Sequence, residues 1–260
     1  MALELDSRQR AMLLEMGITV WLPDAPTIEA PEHVSAATRP AVSAAPVAPV
    51  RPAVASAAAS VMAAAIDVQH LDAVGLAQEV AACTACGLCA GRKKTTLQAQ
   101  TIRQTDWMVV GDPPDEDEDR EATPFAQQAG ILLDNMLKAV AKDRHAAGVA
   151  GAYLTNVVKC KPPHGRIPQS EELAQCAAFL QREIALVQPK VIIAMGRFAH
   201  QVLLSANPQL AMQPLGKLRG TVYRYQQLPV VVTYAPKDLL RRSADKAKAW
   251  ADLCLAMDSI

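Results

Sequence analysis

Five short apolar runs punctuate the second half of the chain: WMVVG at 107–111, AYLTNVV at 152–158, VIIAMG at 191–196, TVYRY at 221–225 and PVVVTY at 229–234. Their shortness and their β-branched and aromatic content predict strands. The stretches between them carry helical spacing. In QQAGILLDNMLKAVAKD the residues Ile131, Leu132, Met136, Leu137 and Val140 recur at helix-face intervals. SEELAQCAAFLQREIALV opens at Ser170 with Glu172 in its first turn, and ADKAKAWADLCLAM ends the sequence as a further helix. Strands alternating with helices predict an α/β domain whose mostly parallel sheet is covered on both faces. Ligands of such sheets sit at the carboxyl ends of the strands. Three predicted strand ends carry polar chemistry: GDPPDEDED after the first, Asn156 near the end of the second, and TYAP after the last.

The front of the chain follows a different pattern. Ser7 is placed to cap a helix over RQRAMLLEM, with Met12, Leu13 and Met16 on one side and Gly17 as its stop. ITVWLP then reads as extended and apolar around Trp21. Residues 1–23 are too few to bury that surface alone. They either dock on their own domain or form a partner-binding peptide with an aromatic anchor. Residues 24–65 alternate Pro, Ala and Ser, which forbids regular structure and offers little to bury. We expect a semi-extended linker there, and a folded domain over 66–260.

Composition narrows the function less than it narrows the class. Lys+Arg and Asp+Glu both total 26, so net charge argues neither for nor against nucleic acid, and only a local basic face is open. No apolar stretch is long enough to span a bilayer, and MALELDSRQR lacks the order of a secretory signal. A cytoplasmic protein without membrane attachment is therefore expected. In a reducing compartment, six cysteines suggest metal or structural roles before disulfides. Cys83 and Cys86 form a C-x2-C, Cys160 follows a strand, and Cys176 lies in the next helix. Four thiolates from two distant segments suit either zinc or an iron–sulfur cluster. Cys89 is left over, and Cys254, between Leu253 and Leu255, reads as core.

From Cys83 onward the chain resembles the family 4, iron–sulfur, uracil-DNA glycosylases. The likeness is carried by the C-x2-C opening, by TPFAQQAGILLDNML, by TNVVKCKPPHGRIPQSEELAQC and by PKVIIAMGRFA. It implies a three-layer α/β/α fold around a four-stranded mostly parallel sheet. It also implies a 4Fe-4S cluster on Cys83, Cys86, Cys160 and Cys176, with zinc as the alternative. An enzyme of this kind stacks an extruded base on an aromatic ring, reads its edge with an amide, and supports charge as the glycosidic bond breaks. By the resemblance Phe125 is the stacking ring and Asn156 the base-reading amide. Asp112 stands where the family usually has a Glu that orients water. Read without the family, these three are a core Phe, a strand-end cap and a loop carboxylate.

Two positions depart from the pattern. Asp115 occupies a family Gly, and Ala235 occupies a family His that donates to the base. Lys237, Arg241 and Arg242 follow, available to phosphates or to solvent. At the front, SRQRAMLLEMGITVW resembles the N-terminus of the psi subunit of bacterial DNA polymerase III. That likeness makes Ile18, Thr19 and Trp21 a docking core for the clamp-loader complex, with the chi subunit and DNA as further partners. Together these features lead to the expectation of a catalytically degraded glycosylase fold serving as a replisome adaptor. The alternative is an active uracil-DNA glycosylase.

Overall fold

A computed structural model describes residues 67–260, so the predicted docking segment 1–23 and linker 24–65 lie outside the described residues. The five predicted strands form one sheet: β1 (Thr105–Gly111), β2 (Gly148–Asn156), β3 (Val191–Met195), β4 (Val222–Tyr225) and β5 (Leu228–Thr233), in the order β2-β1-β3-β5-β4. The first four in that order run parallel. The expectation of four strands is corrected to five. β4 is added antiparallel to β5, because Tyr225 pairs with Leu228 across a two-residue hairpin with Gln226 at φ 54°. Its side chains are half-buried or exposed, as suits an edge strand.

Alternation along the strands divides the core in two. Met108, Val110, Ile192 and Val232 face one way, against Leu76 and Val80 of α1 (Ala73–Ala82) and Phe179, Leu180 and Ile184 of the long helix Ser170–Val187. Trp107, Val109, Ile193 and Val231 face the other way, against Leu133, Leu137, Leu253 and Ala256. The helix over Gln127–Ala139 presents Ala129, Leu133 and Leu137 to the sheet. Ile131, expected on the buried face, is 55% exposed. It lies two residues before Leu133, hence most of a half-turn away from the Ala129–Leu133–Leu137 line. The helix predicted from Ser170 is capped by Gln169, whose N–H donates to Glu172.

Register sets the functional edge. Gly111 pairs with Asn156 on one side and Met195 on the other, and Met195 pairs with Thr233. The carboxyl ends of all four parallel strands therefore stand in one row. No helix among the described residues is long and apolar enough to cross a membrane.

Candidate functional site

The loop leaving β1 builds most of the site. Pro113 and Pro114 cannot extend the strand ladder, so the chain turns away and enters α2 (Glu116–Glu121). Asp115 caps this helix, accepting from the N–H groups of Asp117 at 3.0 Å and Glu118 at 2.9 Å. Glu118 returns the bond, accepting from the Asp115 N–H at 3.0 Å, which completes a capping box.

Glu118 is buried and serves as a hub. Its Oε1 accepts from the Phe125 N–H at 2.7 Å and from Asn156 Nδ2 at 3.1 Å. Its Oε2 also pairs with Lys237 Nζ at 2.8 Å. Sequence reading passed over this residue. The D-x-x-E spacing from Asp115 was the signal, hidden within a run of five acidic residues.

Phe125 is buried and held at φ 54°, with its ring against the end of β1. A Cβ on Gly111 would come within 2.5 Å of the ring, so only glycine admits Phe125 there. Asn156 is fully buried at the end of β2. Its Nδ2 donates to the Asp112 carbonyl at 2.9 Å as well as to Glu118. Two acceptors fix which end of the amide is nitrogen. Its Oδ1 is left buried without a partner.

Asp112 is drawn to another neighbour. Its carboxylate accepts from the N–H groups of Arg197 at 3.2 Å, Phe198 at 2.7 Å and Ala199 at 3.2 Å, all opening the helix Arg197–Leu203. Gly196, at φ 111°, makes room for it, since a Cβ there would meet Asp112 Oδ2 at 2.2 Å. Burial pushes the Asp112 acid up to about 6, against the opposing pull of those N–H groups.

Lys237 comes from the short helix Pro236–Arg241 that follows β5. Its Nζ lies 2.6 Å from Asp115 Oδ2 and 2.8 Å from Glu118 Oε2. Burial pulls the ammonium down, but Glu118 and Asp115 outweigh it and its pKa is raised. Between Asp112, Phe125, Asn156, Ala235 and Lys237 lies a cavity of about 30 Å³. That is room for water but not for a pyrimidine ring. A wider cleft of about 390 Å³ adjoins it, lined by Asp112, Pro113, Lys161, His164, Arg166 and Phe198.

A further buried pair supports Asn156 from behind. Lys159 Nζ donates to the Asn156 carbonyl at 2.7 Å and to Thr155 Oγ1 at 2.7 Å, and it pairs with Glu183 at 2.5 Å. Neither residue stood out in the sequence, because a Lys in a loop and a Glu in a helix are ordinarily solvated.

The cysteines gather on the opposite side of β2's exit. Cys83 ends α1, Cys86 caps the short 3-10 turn Gly87–Gly91 that follows, and Cys89 lies within that turn. Cys160 and Cys176 are buried, and the other three are partly buried. Burial pushes the Cys86 thiol up, with Glu172, Cys83 and Cys89 adding to the effect. Burial likewise raises Cys160, reinforced by Cys86 and Cys83. The Cys176 thiol is pushed up to about 12 by burial, with Cys160 and Cys86 contributing. These mutual influences put the four predicted ligands, and Cys89, in one neighbourhood. Among the described residues no three Cys, His, Asp or Glu side chains converge as ligands of a single ion. Arg92 reaches into the group. It donates to Cys160 Sγ at 3.2 Å, and it ties down the carbonyls of Val80, Ala81 and Cys83. Cys254, expected in the core, is only partly buried.

Comparison with known proteins agrees with this geometry. Residues 99–254 match the model of the uracil DNA glycosylase superfamily. The chain is 32% identical over 166 residues to a type-4 uracil-DNA glycosylase of Sulfurisphaera tokodaii, covering 61% of this chain and 71% of that one. It is 31% identical over 173 residues to the type-4 enzyme of Archaeoglobus fulgidus, covering 64% and 82%. With the type-4 enzyme of Thermotoga maritima it shares 31% identity over 174 residues, covering 66% and 85%.

Proposed function

The chain belongs to the uracil-DNA glycosylase superfamily, and from that membership we propose that it removes uracil from DNA. The observation that carries the reading is the Asn156 amide oxygen, buried and unpartnered beside the Phe125 ring. An orphaned buried acceptor costs about 1–3 kcal/mol. It is tolerated where a ligand donor arrives, and the N3–H of uracil is such a donor. Both Nδ2 hydrogens are already committed, so the amide has nothing left to offer a ring donor's opposite, such as cytosine N3. That difference favours uracil.

In this reading an extruded base stacks on Phe125 and donates N3–H to Asn156. Glu118 holds the amide in register, and Lys159 holds its backbone carbonyl. The small cavity must widen as the base enters. Asp112 contributes its backbone carbonyl to Asn156 and anchors the loop to the neighbouring helix. Its carboxylate orients water only if it gives up some of those contacts.

Cys83, Cys86, Cys160 and Cys176 would hold a 4Fe-4S cluster. An all-thiol donor set suits it, with two of the four thiols buried away from solvent. Such a cluster would supply a structural tie between the segment around Cys83 and the exit of β2, where Asn156 sits. Iron, sulfide and zinc analysis after anaerobic purification tests this, and stoichiometric zinc without iron would reject it.

Excision is tested by incubating the protein with uracil-containing single- and double-stranded DNA and scoring abasic sites. We expect cleavage that Asn156→Ala lowers by about 10²–10³. Wild-type cleavage no greater than that of the variant would reject the reading. The sequence relatives favour this enzyme over a degraded adaptor. Docking on a clamp loader is a separate proposal for residues 1–23, compatible with excision. It is tested by binding of that peptide with Trp21→Ala as control.

A further inference from the structure

We infer that Lys237 is the group that stabilises the departing base, a role no other side chain lining the cavity can fill. The inference rests on the excision reading above. When the glycosidic bond breaks, its electron pair leaves on uracil, and a donor or cation must meet that charge. Around the cavity, Asp112 and Glu118 are acidic, and Phe125, Ala235 and Pro236 carry no donor. Asn156 is polar, but both hydrogens of its amide are spent on the Asp112 carbonyl and on Glu118. Its free valence is an acceptor, which would repel a ring oxygen gaining negative charge. Lys237 remains. Its ammonium carries three hydrogens, of which Asp115 and Glu118 occupy two.

The placement is a built one. Asp115 divides its carboxylate, one oxygen capping α2 and the other holding Lys237. Glu118 divides its own between the Asn156–Phe125 side and the Lys237 side. The residue that reads the base and the cation that would support its departure are therefore fixed to the same carboxylate. Lys237 is also the flexible wall of a cavity too small for a base. Displacement of its four-carbon stem opens the room, and keeps the ammonium at the rim of the space the base takes.

The step balances without a proton from Lys237. The C1′–N1 bond breaks with its electron pair on uracil, the oxygen of a water bonds to C1′, and the proton that water loses ends on the released uracil. Lys237 stays an ammonium throughout, hydrogen-bonding a ring oxygen while charge gathers there.

The test uses the full chain and two leaving groups, uracil and 5-fluorouracil, in the same DNA. The fluorinated base leaves as a more stable anion and leans less on a cation. Lys237→Met should lower kcat on uracil by roughly 10²–10³ with KM little changed, and lower it at least tenfold less on 5-fluorouracil. Lys237→Arg keeps both ion pairs and should retain most of the activity. Equal losses on the two bases would mark a merely structural residue and overturn the inference, as would a wild-type kcat in Lys237→Met. If Lys237→Met does not fold, the same comparison is read on Lys237→Arg. Its smaller loss must again be greater on uracil, and equal losses overturn the inference. A wild-type chain that excises neither base fails the excision reading itself, and the inference falls with it.

Discussion

The two polar regions flanking the end of β2 are satisfied in opposite ways. At the cavity, nearly every polar group has a protein partner: Glu118 serves Asp115, Phe125, Asn156 and Lys237, and a single amide oxygen is left over. At the cysteines, the buried thiols push one another's acidity down, opposed by Arg92 at Cys160 and by Lys159 at Cys176. A preorganised network with one open valence suits a transient ligand. A group of thiols with little internal support suits a resident one. The same short segment, Thr155 to Cys160, serves both regions, with Asn156 in one and Cys160 in the other.

The comparison breaks most sharply at the cysteines. Cys176→Ala should abolish bound iron and cost several kcal/mol, because binding energy of a structural metal is folding energy. For a domain of this size each kcal/mol lowers Tm by about 2–4 °C, so thermal melting and iron analysis read the effect together. Cys89→Ala should retain iron and melt near wild type. Loss of iron in Cys89→Ala, with retention in Cys83→Ala, would reassign the ligands.

Glu118→Ala attacks the other region. It strips partners from the Phe125 N–H, the Asn156 amide and Lys237 at once. Breaking a buried charged hub of this kind costs about 3–5 kcal/mol, measurable as a shift in denaturant midpoint with iron content unchanged. Glu116→Ala, on an exposed carboxylate paired with Lys93 and Lys161, should move the midpoint far less, because solvent screens those pairs. Equal effects of the two substitutions would mean that Glu118 is not the hub.

That contrast between neighbouring glutamates marks how far the sequence could be read. The strands were legible because alternation and β-branching are local properties. All five runs became strands, and Asn156 fell at a strand end in register with Gly111. The acidic run from Asp115 to Asp119 was not legible. Glu118 and Asp119 are buried while their neighbours are not, and what decides this is tertiary. Asp119 accepts from the Lys93 and Lys94 N–H groups, and Glu118 from residues far along the chain. Asp115 and Ala235, read singly, were departures from a family Gly and from a family His that donates to the base. In the fold Asp115 holds Lys237, two residues beyond Ala235, so the first departure is paired with a new cation beside the second. An ion pair between positions so distant in sequence leaves no periodic trace.

Asp112 separates the regions by pH. Its folded pKa is raised from 3.8 to about 6, so protonation favours the fold. The stabilising contribution is complete below about pH 4 and is lost as pH rises through about 6. Asp112→Asn should flatten that part of the profile, by at most about 3 kcal/mol. The reading is the difference in denaturant midpoint between variant and wild type at pH 4.5 and pH 7, which subtracts acid effects on the cysteines common to both. A constant difference would show that the carboxylate is not buried as described.

The smallest change tests how tightly the cavity is formed. Gly111→Ala adds one methyl group where the Phe125 ring lies within 2.5 Å of its position. The ring must move, because the methyl is anchored to a central strand paired on both sides. Overpacking of this sort costs about 1–3 kcal/mol, and here the cost is coupled to function through the left-handed backbone that holds Phe125 against Glu118. Excision should therefore fall further than stability does, while iron content stays at the wild-type level. An enzyme with unchanged kcat and a displaced melting curve would show that Phe125 packs the core without touching the base.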